Sequence, residues 1–180
     1  PKENERELLS VCLLACIDHG VQVPSVFVGR VSASVGNPIH VALAADLLAI
    51  GDFHGGAVEK AMEFLKSEKP AHTVVKEAFL ANKRVAGYGH KVYTDVDLRA
   101  QALFERAARL GFTGGAIHKA REIEAQLMEV SGKKLPLNID GALAALLVEL
   151  GFHPKLGKAF FALGRFPGMM AHILEEITYE

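Results

Sequence analysis

Three short segments of the chain place a titratable side chain beside glycine or small apolar residues. They are the runs Asp-Phe-His-Gly-Gly at 52–56, Gly-Tyr-Gly-His-Lys-Val-Tyr at 87–93 and Asn-Ile-Asp-Gly at 138–141. Two imidazoles and a carboxylate can move protons to and from a carbon acid when they act on one substrate. The three segments therefore favour an enzyme over a scaffold, with His54, His90 and Asp140 as the candidate catalytic residues.

Asp140 has two interpretations. An aspartate at the start of a helix commonly caps the helix N-terminus. The segment around it, Leu135–Leu147, is strongly apolar, however, so we expect this carboxylate to be partly desolvated. Desolvation raises the pKa of a carboxyl group and makes its anion a better base, which suits removal of a proton from a weak carbon acid.

The two candidate histidines each lie in a glycine-rich turn, where a histidine can also have a purely structural role. We expect a helix that begins near Gly55 to disfavour the imidazolium form of His54, so that the neutral ring donates to a developing enolate oxygen. His90 follows Gly-Tyr-Gly, which fits neither a phosphate loop nor a dinucleotide fingerprint. Its ring could polarise a carbonyl or hold a hydroxyl.

Three further side chains could bind carboxylates. Arg165 lies among phenylalanine and leucine residues, and a buried arginine needs an internal partner or a ligand. Arg99 on its own is typical of a solvated helix face, and His19 of a helix C-terminus. The remaining histidines have no ligand spacing and are interpreted as surface or core residues: His40, His72, His118, His153 and His172.

Composition excludes several functional classes. Half of the 180 residues are hydrophobic and 23% are charged, as in a globular domain, and the net charge of −1 gives no sign of nucleic-acid binding. No apolar run reaches about 18 residues, so no membrane span is expected. The two cysteines, Cys12 and Cys16, indicate reduced thiols in a cytoplasmic protein. No metal-binding motif occurs, so no metal is expected.

The hydrophobic periodicity is helical almost everywhere and predicts about nine helices with no convincing sheet. Helix 38–50 is apolar on most faces and is expected to run through the core. Thr113 is expected to cap the helix after it, Asp97 to cap another, and Pro167-Gly168 to kink or divide the last helix. The predicted helices span residues 5–17, 24–34, 38–50, 55–66, 70–82, 97–110, 115–130, 139–150 and 154–177.

Taken together, these motifs resemble the citrate synthase superfamily over 8–177. The resemblance rests on five of them in order: Asp-His-Gly at 18–20, His-Gly-Gly at 54–56, Gly-Tyr-Gly-His at 87–90 followed by Asp-Leu-Arg at 97–99, Asn-Ile-Asp at 138–140, and Ala-Leu-Gly-Arg at 162–165. Within it, the chain is most similar to the citryl-CoA lyase branch, which includes the C-terminal module of ATP-citrate lyase. That module lacks a histidine where this chain has His54.

The resemblance implies an all-α citrate synthase-like fold and a homodimer with its site in a cleft between helices. It implies a single region over residues 1–180, with about 86–150 as a smaller, mobile lobe. The chain would be a fragment without the N-terminal portion and the C-terminal tail of a synthase. No cofactor is implied, since coenzyme A is a substrate.

The resemblance also implies a role for each candidate residue. Asp140 would shuttle the acetyl-CoA methyl proton, His54 would donate to the enolate oxygen, and His90 would bond the oxaloacetate carbonyl or take the citryl hydroxyl proton. The carboxylates would be held by His19, Arg99 and Arg165. Coenzyme A would be bound by Ala86, Gly87, Tyr88, Gly89, Lys133 and Lys134.

Three functions stay open at this point. The first is a lyase that cleaves citryl-CoA to acetyl-CoA and oxaloacetate. The second is a citrate synthase, or a methylcitrate-type variant, which forms the same kind of bond and then hydrolyses the thioester. The third is a non-catalytic helical subunit, which would be expected to have lost one of the three catalytic residues, whereas all three are present.

Overall fold

The computed structural model describes residues 2–90 and 93–179. Over these residues the chain is helical without any strand, so the predicted all-α fold is confirmed. The helices are α1 (Glu3–Leu14), α2 (Pro24–Ser34), α3 (Ile39–Leu48), α4 (Ala57–Lys66), α5 (Ala71–Leu80), α6 (Leu98–Arg109), α7 (Gly115–Ser131), α8 (Ile139–Glu149), a 3-10 helix at Pro154–Leu156, and α9 (Gly157–Tyr179).

The described residues divide into two compact units. Unit 1 contains the chain up to Cys12 together with Ala57–Gly157, and unit 2 contains Leu13–Gly56 together with the chain from Lys158 onward. The segment 86–150, which the family resemblance assigns to a mobile lobe, lies inside unit 1. Its mobility stays a prediction.

Helix α8 forms the centre of unit 1. Eight of its 11 residues are buried, and it packs against α4, α6 and α7. Leu143, Leu146 and Leu147 are among the largest fully buried side chains, and each stabilises the fold by about 1.5–3 kcal/mol through removal of apolar surface from water. The packing of this helix fixes the position of its first turn, which carries Asp140.

Unit 2 is built on the packing of α2 against α3. Its core cluster joins Val26 and Ala33 of α2, Leu43 of α3, and Met169 and Ile173 of α9. The expectation that helix 38–50 runs through the core is wrong for the single chain. Only one side of α3 is buried, since the cluster covers that side alone, and the other side leaves apolar residues exposed, with Leu48 at 88%.

Helix α9 also differs from the prediction. It continues through Pro167 to Tyr179, so of the two expected outcomes, a kink or a division into two helices, the division is wrong. Proline removes one backbone hydrogen bond from a helix. The side chains on either side of it nevertheless pack on the same core cluster, because Phe166 lies against it and Met169 is buried within it. This packing holds both halves of the helix in place.

The start of α7 is the third difference. Gly114, and not Thr113, occupies the N-cap position, and no side chain caps the helix there. Instead, a Glu149 carboxylate oxygen accepts hydrogen bonds from the backbone amides of Ala116 at 2.7 Å and Ile117 at 3.3 Å. A carboxylate from α8 thus satisfies the amides that Thr113 was expected to serve.

None of the helices found between residues 2 and 90 or between 93 and 179 has both the length and the apolar character that a membrane span requires.

Candidate active site

The first turn of α8 presents Asp140. Asn138 is the N-cap, and its side-chain oxygen accepts hydrogen bonds from the amides of Asp140 at 3.0 Å and Gly141 at 3.2 Å. Asp140 is therefore the second residue of the helix, and its half-buried carboxylate is not the cap. The structural interpretation of Asp140 as an ordinary N-cap is wrong, because the preceding asparagine has that role.

The loop that carries His90 lies directly against this turn. The Asn138 amide donates to the Gly87 carbonyl at 2.9 Å, and the Asn138 side chain donates to the Gly89 carbonyl at 2.9 Å. A β-carbon on Gly141 would lie 2.4 Å from the Gly87 carbonyl oxygen, closer than any real contact. Glycine at both positions is what allows the two backbones, and with them His90 and Asp140, to be held in a fixed relation.

Asp97 connects Arg99 to the same turn. Its buried carboxylate forms an ion pair with the Arg99 guanidinium at 2.8 Å and accepts from the Ile139 amide at 3.1 Å. It also accepts from the Arg99 amide at 3.1 Å, which confirms the predicted cap of α6. Burial alone would raise the pKa of Asp97, but the hydrogen bonds and charge of Arg99 hold it below its usual value.

Arg99 is consequently a fixed cation beside the candidate catalytic groups. The hydrogen bond that Arg99 donates to Asp97 raises the pKa of Arg99 against the opposing effect of burial, and the negative charge of Asp140 adds to the increase. One guanidinium nitrogen lies 3.4 Å from Nε2 of His90. Arg99 is thus held on a buried carboxylate and is not the solvated charge that its helix pattern alone suggested.

Each ring nitrogen of His90 lies close to a hydrogen-bond donor. The backbone amide of Tyr93 donates to Nδ1 at 3.1 Å. The Arg99 guanidinium, which can only donate, lies 3.4 Å from Nε2. With its proton on Nε2 the neutral ring can donate to a carbonyl oxygen, and with its proton on Nδ1 it can accept a hydroxyl proton at Nε2.

A cavity of about 470 Å³ opens beside His90 within unit 1. Lys83 and Arg84 line it, whereas Lys133 and Lys134 are absent from its lining, and Lys134 is paired with Asp95. This basic pair was not among the predicted site residues, although it lies only three residues before the Gly-Tyr-Gly-His motif. The lining residues are Val75, Ala78, Phe79, Lys83, Arg84, Val85, Tyr88, Gly89, His90, Leu127, Ser131 and Leu135.

The Tyr88 side chain anchors the loop. Its hydroxyl donates to the Ala120 carbonyl at 2.8 Å, and burial raises the pKa of this phenol well above its usual range. Tyr88 forms an antiparallel bridge with Leu137 in which the flanking residues make the hydrogen bonds. The backbone N–H and C=O of Tyr88 therefore point away from Leu137.

Unit 2 carries the second candidate histidine. Nε2 of His54 lies 2.9 Å from the hydroxyl of Ser25, and its ring packs edge-on against Phe161. Burial lowers the pKa of His54, and the positive charge of Arg165 lowers it further. The neutral form was expected from the start of a helix, and burial and the charge of Arg165 act in the same direction. Ser25 belongs to none of the sequence motifs and was not among the predicted site residues.

The other two candidate carboxylate ligands also belong to unit 2. Arg165 is buried, as predicted, with 3% of its surface exposed and its guanidinium 4.8 Å from the centre of the Phe161 ring. His19 is exposed, and its Nδ1 lies 2.6 Å from the Asp18 carbonyl oxygen. A carbonyl oxygen can only accept, so Nδ1 carries a proton and Nε2 is directed elsewhere.

The six candidate residues thus fall into two sets. Unit 1 holds His90, Arg99 and Asp140, joined by the contacts described above, and unit 2 holds His19, His54 and Arg165. The catalytic and binding roles of all six stay predictions. Within the ranges 2–90 and 93–179 the structure has no group of three or more metal-ligating side chains placed to hold an ion.

Comparison with known proteins places the chain in a family. Residues 1–180 match the family described as citrate synthase, C-terminal domain. The chain is 42% identical, with a TM-score of 0.95, to the structure of a citryl-CoA lyase from Hydrogenobacter thermophilus, covering 100% of this chain and 72% of that chain. Its similarity to an ATP citrate lyase from Methanothrix soehngenii, solved with citrate and coenzyme A, is 26% with a TM-score of 0.87, over 97% and 31% of the two chains.

Curated relatives include citrate synthase 2 of Bacillus subtilis, which is 32% identical over 98% of this chain and 48% of its own length. The chain spans about half the length of the curated relatives it matches. The resemblance of the sequence motifs to the citrate synthase superfamily, and within it to the citryl-CoA lyase branch, is confirmed.

Proposed function

The chain belongs to the citrate synthase family, and we propose that it cleaves citryl-CoA to acetyl-CoA and oxaloacetate by acid/base enolate chemistry. The similarity to a citryl-CoA lyase carries this proposal, because it combines 42% identity with 72% coverage of that chain. The match to the Bacillus subtilis citrate synthase is weaker, at 32% identity and 48% coverage.

The carbon–carbon bond breaks when the citryl hydroxyl loses its proton and becomes the oxaloacetate carbonyl. The bonding electrons pass to the thioester, which becomes the acetyl-CoA enolate. Asp140, protonated at this stage, gives its proton to the enolate carbon and completes acetyl-CoA. Its place in an apolar first turn suits a carboxyl group that must alternate between acid and base.

His54 stabilises the enolate oxygen. If the Ser25 hydroxyl donates to Nε2, the single proton of the neutral ring lies on Nδ1 and can be donated to that oxygen. The lowered pKa of His54, caused by burial and by the charge of Arg165, keeps the ring in this neutral form. A neutral donor stabilises the enolate without protonating it fully.

His90 acts on the oxygen that alternates between hydroxyl and carbonyl. With the Tyr93 amide on Nδ1, its Nε2–H donates to the carbonyl, which serves the condensation direction. Cleavage requires Nε2 to accept the hydroxyl proton. The Tyr93 amide must then leave Nδ1, so that the neutral ring can carry its proton there instead.

The carboxylates of the citryl group are assigned to His19, Arg99 and Arg165, because each is fixed by contacts within its own unit. The cavity beside His90 is assigned to coenzyme A. Lys83 and Arg84 supply positive charge in its lining, and the outward-facing backbone of Tyr88 supplies hydrogen-bonding groups.

A homodimer and a cytoplasmic location complete the proposal. The exposed apolar residues of α2 and α3, together with the residue that ends α2, support the dimer, since Phe27 is 58%, Val35 74% and Leu48 88% exposed in the single chain. Burial of such a surface against a second copy removes it from water. Sedimentation velocity should therefore give the mass of two chains.

Asp140→Asn tests the mechanism. We expect the rate of citryl-CoA cleavage to fall by ~10²–10⁴, because a positioned acid/base group is lost, while far-UV circular dichroism stays unchanged. Asp95→Asn is the matched control, at a carboxylate whose side chain is 78% exposed, and it should leave the rate unchanged. An Asp140→Asn rate close to that of the parent protein would exclude the mechanism.

Citrate synthase is the second candidate. The presence of His54 in a lyase-like chain favours it, because the family resemblance associates this histidine with the synthases. A synthase would release free coenzyme A from acetyl-CoA and oxaloacetate, which a lyase does not.

A further inference from the structure

One face of helix α9 packs against the backbone of residues 13–18, the segment that precedes His19. A β-carbon on Gly164 would lie 3.0 Å from the Leu13 carbonyl oxygen, and one on Gly168 would lie 2.2 Å from the Ile17 carbonyl oxygen. These glycines and His172 are spaced four residues apart and therefore follow one face of the helix. The backbone of residues 13–18 thus packs directly on α9 within unit 2.

His172 lies on the same face of α9 and contacts two carboxylates. Its Nε2 is 3.0 Å from Oδ1 of Asp18, and its Nδ1 is 3.3 Å from a carboxylate oxygen of Glu175. Only 15% of the His172 side chain is exposed. Burial raises the pKa of Asp46 of α3, and the charge of His172 opposes part of that increase. His172 is therefore not the plain surface or core residue that its sequence context indicated.

Asp18 connects His172 to the turn at residues 18–20. The same Oδ1 that faces His172 accepts a hydrogen bond from the Gly20 amide at 3.0 Å. The residue between them, His19, is held by its Nδ1 on the Asp18 backbone carbonyl. Burial alone would raise the pKa of Asp18, but the Gly20 amide and His172 lower it below its usual value. One carboxylate thus fixes both the turn and its attachment to α9.

We propose that His172 is a positioning residue that aligns His19 for a substrate carboxylate by holding Asp18 against the helix that carries Arg165. This inference rests on the proposed function, which assigns a carboxylate to His19 and Arg165. Arg165 follows Gly164 directly on α9. The His172–Asp18 contact therefore fixes the turn that carries His19 relative to α9, the helix that carries Arg165.

The side chain at position 172 should accordingly affect the affinity for oxaloacetate and have little effect on kcat. We expect His172→Ala to raise the dissociation constant for oxaloacetate, measured by calorimetry, by about tenfold, because a hydrogen bond to a charged group is lost. We expect the KM for oxaloacetate in condensation to rise similarly, while kcat and the KM for acetyl-CoA change less than about twofold.

Two variants separate positioning from general damage. His172→Gln keeps a side-chain amide that can donate to Asp18, so most of the affinity for oxaloacetate should return. His72→Ala removes an exposed histidine of α5 in unit 1 and should leave every constant unchanged. Equal oxaloacetate affinity in His172→Ala and the parent protein would overturn the proposal, as would a fall confined to kcat.

Hydrogen–deuterium exchange tests the positioning without any substrate. The Gly20 amide should exchange faster in His172→Ala than in the parent protein, because the carboxylate that accepts from it is no longer held. Unchanged exchange would overturn the inference. Failure of the parent protein to bind oxaloacetate would instead count against the proposed function, so the two failures are distinguishable.

Discussion

Asp46 lies in the buried face of α3 with no measurable exposure, although its neighbours along the helix are apolar. Neither carboxylate oxygen makes a hydrogen bond of normal geometry with a described residue. Burial raises the pKa of Asp46 from 3.8 to about 6, and the Gly29 amide and the charge of His172 offset only part of that increase. The folded state therefore binds a proton at this site more tightly than the unfolded chain does.

The sign of the effect on stability follows from this difference. The contribution of Asp46 is most favourable below pH 3.8, is lost as the pH rises through about 6, and is constant above that. Since one pKa unit corresponds to about 1.4 kcal/mol, the ionised carboxylate costs about 3 kcal/mol of unfolding free energy at neutral pH. Most of this loss, about 2 kcal/mol, falls between pH 4.5 and 7.5.

Asp46→Asn removes the ionisation while keeping the shape of the side chain. Urea unfolding at pH 4.5 and 7.5 should show the stability of Asp46→Asn, relative to the parent protein, increasing by about 2 kcal/mol between the two pH values. Asp52→Asn in the same unit is the control, because that side chain is 58% exposed and an exposed pair contributes only about 0–1 kcal/mol. A relative stability that is the same at both pH values would refute the reasoning.

Three further predictions concern the candidate site. Asp97→Asn should lower the unfolding free energy by about 1–3 kcal/mol in urea titrations, since Arg99 loses the carboxylate that holds it. Gly141→Ala should destabilise the protein and reduce turnover, because the new methyl group would collide with backbone, whereas Gly115→Ala, with nothing within 4 Å, should be neutral or stabilising in the same unfolding assay. Ser25→Ala should lower kcat by about tenfold at unchanged circular dichroism, since one hydrogen bond that orients the catalytic imidazole is lost.

The helices could be predicted from the sequence because hydrophobic period and capping residues are local properties. α2 begins at Pro24 and ends at Ser34 as the pattern indicates, and Asp97 caps α6. The continuity of α9 through Pro167 could not be predicted, because it depends on packing of residues that are distant in sequence. The exposure of one side of α3 could not be predicted either, because it also depends on which distant residues pack against the helix.

The site could be predicted in its residues but not in its connections. Histidines beside glycine and an aspartate two residues after asparagine mark positions where a side chain lies close to backbone, and those positions are visible in the sequence. Ser25 on His54 and His172 on Asp18 are contacts between residues 29 and 154 positions apart, which no local pattern encodes. Structure was needed for both.

The product analysis of citryl-CoA tests the central claim most directly. The purified protein would be mixed with citryl-CoA, and separately with acetyl-CoA and oxaloacetate, while acetyl-CoA and free coenzyme A are followed by chromatography. A lyase releases acetyl-CoA and oxaloacetate from citryl-CoA and produces no free coenzyme A in either mixture. Free coenzyme A from acetyl-CoA and oxaloacetate would contradict the account and identify a synthase.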